Sequence, residues 1–269
     1  MDFVYAIPAA LLLVLVLAAA IALAGGGQVW VHRRFRDGDF VGHNEVGGII
    51  IAVSGTMYAV ILGFLTVVAW EHFQEARNLV VLESDADIDA WHSAVGLPDS
   101  VRNRVRTDMI AYADTMIAHE WPMMRSGMFD RNAPIITMDA LDAVGSYAPA
   151  NNGESNAQAA VMQQLTAMHD ARQQRIAMNG SGVSWLEWLV LAIGGVCIVC
   201  FCWLFHLRNP RTHFLMTSTV VTMIASILVL LFELQYPFRS DVGISSQAWQ
   251  GALAHLHQMQ SGEMKGMKM

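Results

Sequence analysis

"VILGFLTVVAWEHFQEARNLVVLE", residues 60–83, begins as an apolar run suited to lipid and ends as an amphipathic run suited to water. No Gly or Pro separates its two halves. Beyond Trp70 the apolar residues recur at helical spacing as far as Val95, and Gly96 and Pro98 follow, as is typical just past a helix end. The pattern therefore predicts one helix that leaves the membrane at Trp70 and projects about 35 Å into water.

The composition of the chain is typical of a membrane protein. Of its 269 residues, 54% are hydrophobic and only 14% are charged, whereas soluble domains carry about 25% charged residues. The formal net charge of −7 is opposite to the basic balance that nucleic-acid binding requires. We therefore expect the lipid bilayer as a partner and do not expect nucleic acid.

Four apolar stretches reach the roughly 20 residues that a bilayer crossing requires. They lie at about 3–24, 46–70, 184–206 and 213–236. The fold class that follows is an all-α membrane protein: four transmembrane helices with a central water-exposed helical domain, formed partly by an extension of the second transmembrane helix. The expected divisions are 1–70 with helices 1 and 2, 71–183 with the water-exposed domain, 184–238 with helices 3 and 4, and a Met/His-rich tail, 239–269, disordered at its end.

Within the water-exposed domain, one helix is predicted from Asp99 to about Trp121, where Pro122 should end it. Its polar face carries three arginines that we expect to pair with the acidic run of the preceding helix: Arg102, Arg104 and Arg106. A second long helix is predicted over 155–178, and a short one from Asp139 to Val144.

Two short motifs lie at the ends of membrane segments. "GGGQ", 25–28, is interpreted as a loop after the first transmembrane helix, and without a preceding strand it does not indicate nucleotide binding. Ser184 and Glu187 have the spacing of a capping box at the start of the third transmembrane helix.

The distribution of positive charge leaves the orientation open. Arginines in the first and third loops favour a cytoplasmic position for those loops, with both termini and the central domain outside. Arg77, Arg172 and Arg175, however, lie close to the opposite membrane ends.

The second transmembrane segment is rich in small residues, and Gly55 and Gly63 among them allow close helix packing in lipid. Thr56, Val60 and Phe64 stand four residues apart and share one helix face. A ring of such residues from several subunits forms an apolar constriction, which gates a pore by dewetting.

Three motifs carry a resemblance to a known family. "GFLTVVAWEHFQEARNL", 63–79, resembles the second-helix signature of bestrophins, with further support from "LPDSVRNRVRTDMIAYADTMIAHEWPMM", 97–124, and "FELQYPF", 232–238. From about residue 45 onward the chain is similar to a bacterial bestrophin-like family of membrane proteins.

The resemblance implies an oligomeric ion channel, usually a pentameric ring, in a bacterial inner (plasma) membrane. It implies that Thr56, Val60 and Phe64 form the neck of a pore lined by the second helix, with Gly55 and Gly63 packing that helix. Glu71 and Glu75 follow at the pore mouth, where acidic residues favour cations. Two departures leave selectivity and topology open: Leu65 stands where bacterial bestrophins often have Arg, and bestrophins keep both termini and the large domain in the cytoplasm.

A second interpretation is a non-conducting membrane scaffold or sensor, whose water-exposed domain binds a partner and whose glycines only pack helices. The sequence gives no nucleophile–base pair and no paired carboxylates, so we expect neither an enzyme nor a cofactor.

The sequence contains possible metal ligands, but we do not interpret them as a specific metal site. Cys197 and Cys200 form a Cys-x-x-Cys motif inside a membrane helix without a second ligand cluster. The C-terminal tail carries ligand types that suit Cu(I), and copper capture there is a secondary hypothesis. These residues are His255, His257, Met259, Met264, Met267 and Met269.

Overall fold

The computed structural model describes residues 4–34, 44–205 and 209–262, and the regular structure in these ranges is entirely helical. The α-helices are α1 Ala9–Arg34, α2 Asn44–Ser93, α3 Asp99–Thr115, α4 Trp121–Met124, α5 Ala133–Gly145, α6 Asn152–Gly180, α7 Trp185–Leu204, α8 Pro210–Leu234 and α9 Gln247–Ser261. A π-helical turn, Met116–Glu120, joins α3 to α4. The all-α prediction is confirmed.

Among the described residues, four helices are long and apolar enough to cross a membrane: α1, α2, α7 and α8. α2 is the longest of them, with 50 residues, and it runs unbroken from lipid into the water-exposed domain as predicted. We call residues 46–70 its membrane half and residues 71–93 its domain half.

α1 and α8 pack antiparallel. The Tyr5 hydroxyl, just before α1, donates to the Phe232 carbonyl near the end of α8 at 3.1 Å. Further along α1, Gly25 lies against Phe214 near the start of α8, and the Trp203 Nε1 of α7 donates to the Ala24 carbonyl at 2.8 Å. We call the membrane side where α1 ends and α8 begins the distal end, because the helical domain lies at the opposite side.

The loop predicted at 25–28 is wrong, because these residues lie inside α1. The reason is close packing between helices. A Cβ added to Gly25 would lie 2.5 Å from Phe214 of α8, and one added to Gly27 would lie 2.2 Å from Trp203 of α7. The glycines therefore let α1 approach both neighbours in lipid, where packing replaces the hydrophobic driving force.

The helical domain has one apolar core, to which the domain half of α2, α3, α5, α6 and α9 contribute. α9 was not among the predicted elements, yet it contributes the buried Trp249 and Leu256. Residues 263–269, where the predicted disordered end falls, lie outside the described residues.

The predicted helix end at Pro122 is wrong. The π-helical turn Met116–Glu120 precedes it, and the Trp121 amide donates to the Met116 carbonyl five residues earlier. Because proline lacks an N–H and crowds the carbonyl four residues back, one wider turn lets the helix continue through Pro122.

The predicted pairing of the three arginines of α3 with the acidic run of α2 is also wrong. Arg102 pairs with Asp99, and the Arg104 Nε lies 2.8 Å from the Asp108 Oδ2, both within α3. The Arg104 Nη2 also lies 3.6 Å from the Asp139 Oδ2 of α5. Arg106 stacks on Trp91, with 3.7 Å from its Cζ to the ring centroid. α3 turns its apolar face to the core, which leaves its arginines near the surface.

The remaining predicted elements are present with longer bounds. α6 extends the predicted 155–178 helix by a few residues, and α5 extends the short predicted helix. The capping box before α7 is confirmed: the Glu187 amide donates to the Ser184 Oγ at 3.3 Å, and the Ser184 amide donates to a Glu187 carboxylate oxygen at 2.7 Å.

We predict that Gly27→Ala destabilises the membrane bundle by about 1–3 kcal/mol, because the new methyl group displaces the Trp203 ring and breaks its hydrogen bond. Gly26→Ala is the matched control, since nothing lies within 4 Å of an added Cβ there. Thermal unfolding of the purified protein in detergent should show a lower melting temperature for Gly27→Ala alone. Equal melting temperatures for the two variants would contradict the packing argument.

Candidate functional site

The membrane half of α2 is largely exposed within the chain. Only 6% of its most apolar 18-residue window is buried, against 28% for α8. Phe64 is 67% exposed and Val60 is 66% exposed, and Thr56 beside them is exposed as well. The structure therefore places the three predicted neck residues together on one uncovered face, and their role at a pore neck stays a prediction.

The opposite face of the same segment is covered by α7 and α8. Tyr58, Leu62 and Ala69 are buried there, and the Tyr58 hydroxyl donates to the Leu191 carbonyl at 3.1 Å. Gly194 of α7 makes room for the Tyr58 ring, since an added Cβ would lie 2.4 Å from it. One face of α2 is thus fixed inside the chain while the other remains uncovered.

The two glycines predicted to pack the pore helix differ in their surroundings. A Cβ on Gly55 would lie 3.9 Å from the Ile198 Cδ1 of α7, whereas Gly63 has nothing within 4 Å. At about 100° per residue, Gly63 lies about 60° round the helix from Val60. It therefore flanks the uncovered face, where a further helix has room to approach.

Glu71 and Glu75, the predicted pore-mouth residues, are both exposed at the start of the domain half. Between them, His72 is held by a hydrogen-bonding contact of 3.1 Å between its Nε2 and the Ser181 Oγ. Both carboxylates thus remain available to mobile ions at the point where α2 leaves the membrane.

A buried charge network joins α2 to the rest of the domain. The Arg175 Nε donates to a Glu83 carboxylate oxygen at 2.6 Å, and its Nη2 lies 3.3 Å from a Glu120 carboxylate oxygen. The Arg172 Nη2 lies 3.1 Å from the other Glu120 oxygen. Two guanidinium groups and two carboxylates therefore balance inside the core, and all four side chains are at most 3% exposed.

Neutral groups complete the network. The Tyr112 hydroxyl donates to Glu83 at 2.7 Å, and the Asp130 amide donates to Glu120 at 2.8 Å. Burial lowers the pKa of Arg175, but the carboxylates of Glu83 and Glu120 outweigh it and raise that pKa above its usual value. Arg175 is therefore a permanent buried cation that holds α2, α6 and the π-helical turn together.

The sequence analysis did not identify this network, although α6 carries a signal for it. Val161, Leu165 and Met168 follow one another at helical spacing on the buried face, and Arg172 and Arg175 continue the same stripe. Charged residues at core positions of an amphipathic helix indicate buried partners.

Metal-ligating residues do not assemble in the part of the chain that the structure describes: it holds no group of three or more His, Cys, Asp or Glu side chains able to bind a metal ion. His255, His257 and Met259 lie in α9. Met264, Met267 and Met269 lie outside the described ranges.

A family model of the bestrophin-like domain matches residues 13–249. The chain belongs to the bestrophin-like family. A comparison with curated proteins found no sequence match.

Solved structures share the fold of this bestrophin-like chain. A crystal structure of a bacterial bestrophin homologue from Klebsiella pneumoniae has a TM-score of 0.69 at 14% identity, over 91% of this chain and 98% of that one. A point mutant of the bacterial bestrophin homologue from Klebsiella pneumoniae also has a TM-score of 0.69, at 13% identity, over 91% of this chain and 99% of that one. At this identity the likeness establishes the fold alone.

We predict that Arg175→Ala destabilises the domain by about 3–5 kcal/mol, because it leaves Glu83 and Glu120 as buried charges without their shared cation. Arg104→Ala removes ion pairs to Asp108 and Asp139, but the Arg104 side chain is 54% exposed, so water can replace the lost cation and the effect should be much smaller. Arg175→Lys should fall between them, since it keeps the charge but loses the forked geometry. Melting temperatures in detergent report the stability of all three variants. Equal shifts for Arg175→Ala and Arg104→Ala would contradict a stabilising role of the buried network.

Proposed function

We propose that this chain assembles with copies of itself around an axis, so that the membrane half of α2 lines an ion pore. Membership of the bestrophin-like family and the bestrophin fold support this proposal. The observation that carries it is the apolar face shared by Thr56, Val60 and Phe64, which the described residues of the chain leave uncovered.

The helix geometry fits such an arrangement. Thr56 and Phe64 lie about 40° to either side of Val60, and the buried Tyr58 lies about 160° away. A helix fixed on one side by its own chain therefore turns this face away from its own bundle. Gly63, to one side of the face, offers the close approach that a neighbouring copy of α2 requires.

The chemistry of this face fits a gated pore. A ring of Val60 and Phe64 side chains narrows an axial opening with apolar surface, which expels water unless the opening widens. Glu71 and Glu75 lie just past it and attract cations to the mouth. The proposed protein is a multi-pass channel of the bacterial inner membrane for inorganic ions, a homo-oligomer and, by family resemblance, a pentamer.

Planar-bilayer recordings of the purified native chain should show discrete currents. Phe64→Ala should raise the single-channel conductance several-fold, because it removes the largest side chain from the neck. Leu215→Ala is the matched control: Leu215 lies on α8 and is 67% exposed, as Phe64 is. Its currents should equal those of the native chain.

Two outcomes would overturn the proposal. Silent bilayers, with protein shown to be inserted and intact across pH, calcium and voltage, would favour the scaffold or sensor. Equal conductance changes in Leu215→Ala and Phe64→Ala would remove Phe64 from the neck.

We further predict that Gly63→Leu weakens assembly, because its side chain fills the space for a neighbouring helix without a clash inside its own chain. Gly26→Leu is the control, since Gly26 on α1 also has open space around it. Mass photometry in detergent should show smaller particles for Gly63→Leu only. A native chain that is itself monomeric would refute the ring.

A further inference from the structure

A cavity of about 530 Å³ lies between the end of α1 and the start of α8. The residues that line it are Gly25, Gln28, Val29, His32, Arg33, Pro210, Arg211 and Phe214. Its volume falls within the range of small-molecule sites, about 300–1,000 Å³. It belongs to the distal end, away from both the helical domain and the uncovered face of α2.

We expect the cavity to lie at the level of the lipid headgroups, because it joins the ends of two apolar helices. Arg33 is in the last turn of α1, and Arg211 is in the first turn of α8, so each flanks the apolar span of its helix. Trp30, one turn before Arg33, is 63% exposed, as is typical of aromatic residues at the membrane surface.

The polar side of the cavity is suited to an anion. Its described lining contains two arginines and no carboxylate. Neither Arg33 nor Arg211 forms an ion pair with any residue in the described ranges. Guanidinium groups bind phosphate oxygens through forked hydrogen bonds, and basic pockets between transmembrane helices bind lipid headgroups.

A second polar group points to a hydroxylated ligand. Gln28 lines the cavity and is only 6% exposed, yet its Oε1 accepts no hydrogen bond from the described part of the chain. A buried acceptor without a donor is destabilising. A ligand hydroxyl would satisfy it.

The other walls are apolar and face lipid. Val29 is 49% exposed and Phe214 is 44% exposed. These side chains give acyl chains a surface directly beside the two arginines. A free phosphate ion would use only the cationic part of this cavity.

We propose that the cavity between α1 and α8 binds an anionic glycerophospholipid with a hydroxylated headgroup, such as phosphatidylglycerol. Arg33 and Arg211 bind its phosphodiester, Gln28 accepts a hydrogen bond from its headgroup hydroxyl, and its acyl chains lie against Val29 and Phe214. The lipid bridges the ends of two helices and is independent of any pore.

Native mass spectrometry of the full chain in detergent tests the site, with phosphatidylglycerol and phosphatidylcholine added at equal concentrations. The native chain should bind phosphatidylglycerol at least tenfold more tightly, and Arg33→Ala with Arg211→Ala should remove about tenfold or more of that preference. Arg125→Ala with Arg131→Ala is the control, because both arginines are exposed in the helical domain without an ion pair to a described residue. It should keep the full preference.

Two further measurements distinguish a hydroxylated phospholipid from other phosphate-containing ligands. Gln28→Leu should weaken phosphatidylglycerol several-fold and leave phosphatidylmethanol, an anionic phosphodiester lipid whose headgroup has no hydroxyl, unchanged. Inorganic phosphate at about tenfold excess should not displace the lipid, because the acyl contacts that phosphate lacks are worth about 100-fold in affinity. Equal binding of the two lipids by the native chain, an undiminished preference in the arginine double variant, or displacement by phosphate would each overturn the proposal.

Discussion

The architecture depends on the guanidinium of Arg175. A cation in an apolar core is costly unless it is paired and hydrogen-bonded, and the carboxylates that pair with Arg175 come from Glu83 of α2 and Glu120 of the π-helical turn. α2 can therefore adopt a single rotation and a single height relative to α6. The position of every residue on the membrane half of α2 follows from that constraint, because the helix has no break between the two regions.

The two halves of α2 both carry apolar surface, but one half lies in water and the other in the membrane. In water, the apolar stripe of the domain half must be covered, and α3, α6 and α9 cover it. In the membrane there is no such requirement, so an apolar face can stay uncovered until another helix or lipid meets it. The same lack of a hydrophobic driving force explains why α1 approaches its neighbours through Gly25 and Gly27 rather than through large side chains.

Features with a local physical cause were predictable from the sequence. The continuity of α2 follows from periodic apolar residues without Gly or Pro, and the capping box follows from the spacing of Ser184 and Glu187. Features that depend on tertiary contacts were not predictable. The glycines at 25–27 resemble a loop until Phe214 and Trp203 are seen against them, and Pro122 resembles a helix end until the wider turn before it is known.

The candidate site also has features that were predictable from the sequence and features that were not. The shared face of Thr56, Val60 and Phe64 could be predicted because four-residue spacing alone defines a helix face. That this face is left uncovered could not be predicted, because it depends on which side of α2 is occupied by α7. The ion network was missed because the relevant partners, Glu83, Glu120 and Arg175, are far apart in sequence and no local pattern joins them.

The unbroken path from Glu83 to Phe64 has a mechanical consequence. These residues are 19 positions apart in α2, about 28 Å along the axis, and no Gly or Pro between them can act as a joint. Any twist imposed on the helix at Glu83 therefore reaches Phe64 with the same sign and nearly the same angle. α2 therefore behaves as one rigid element that transmits rotation from the water-exposed domain to its segment in the membrane.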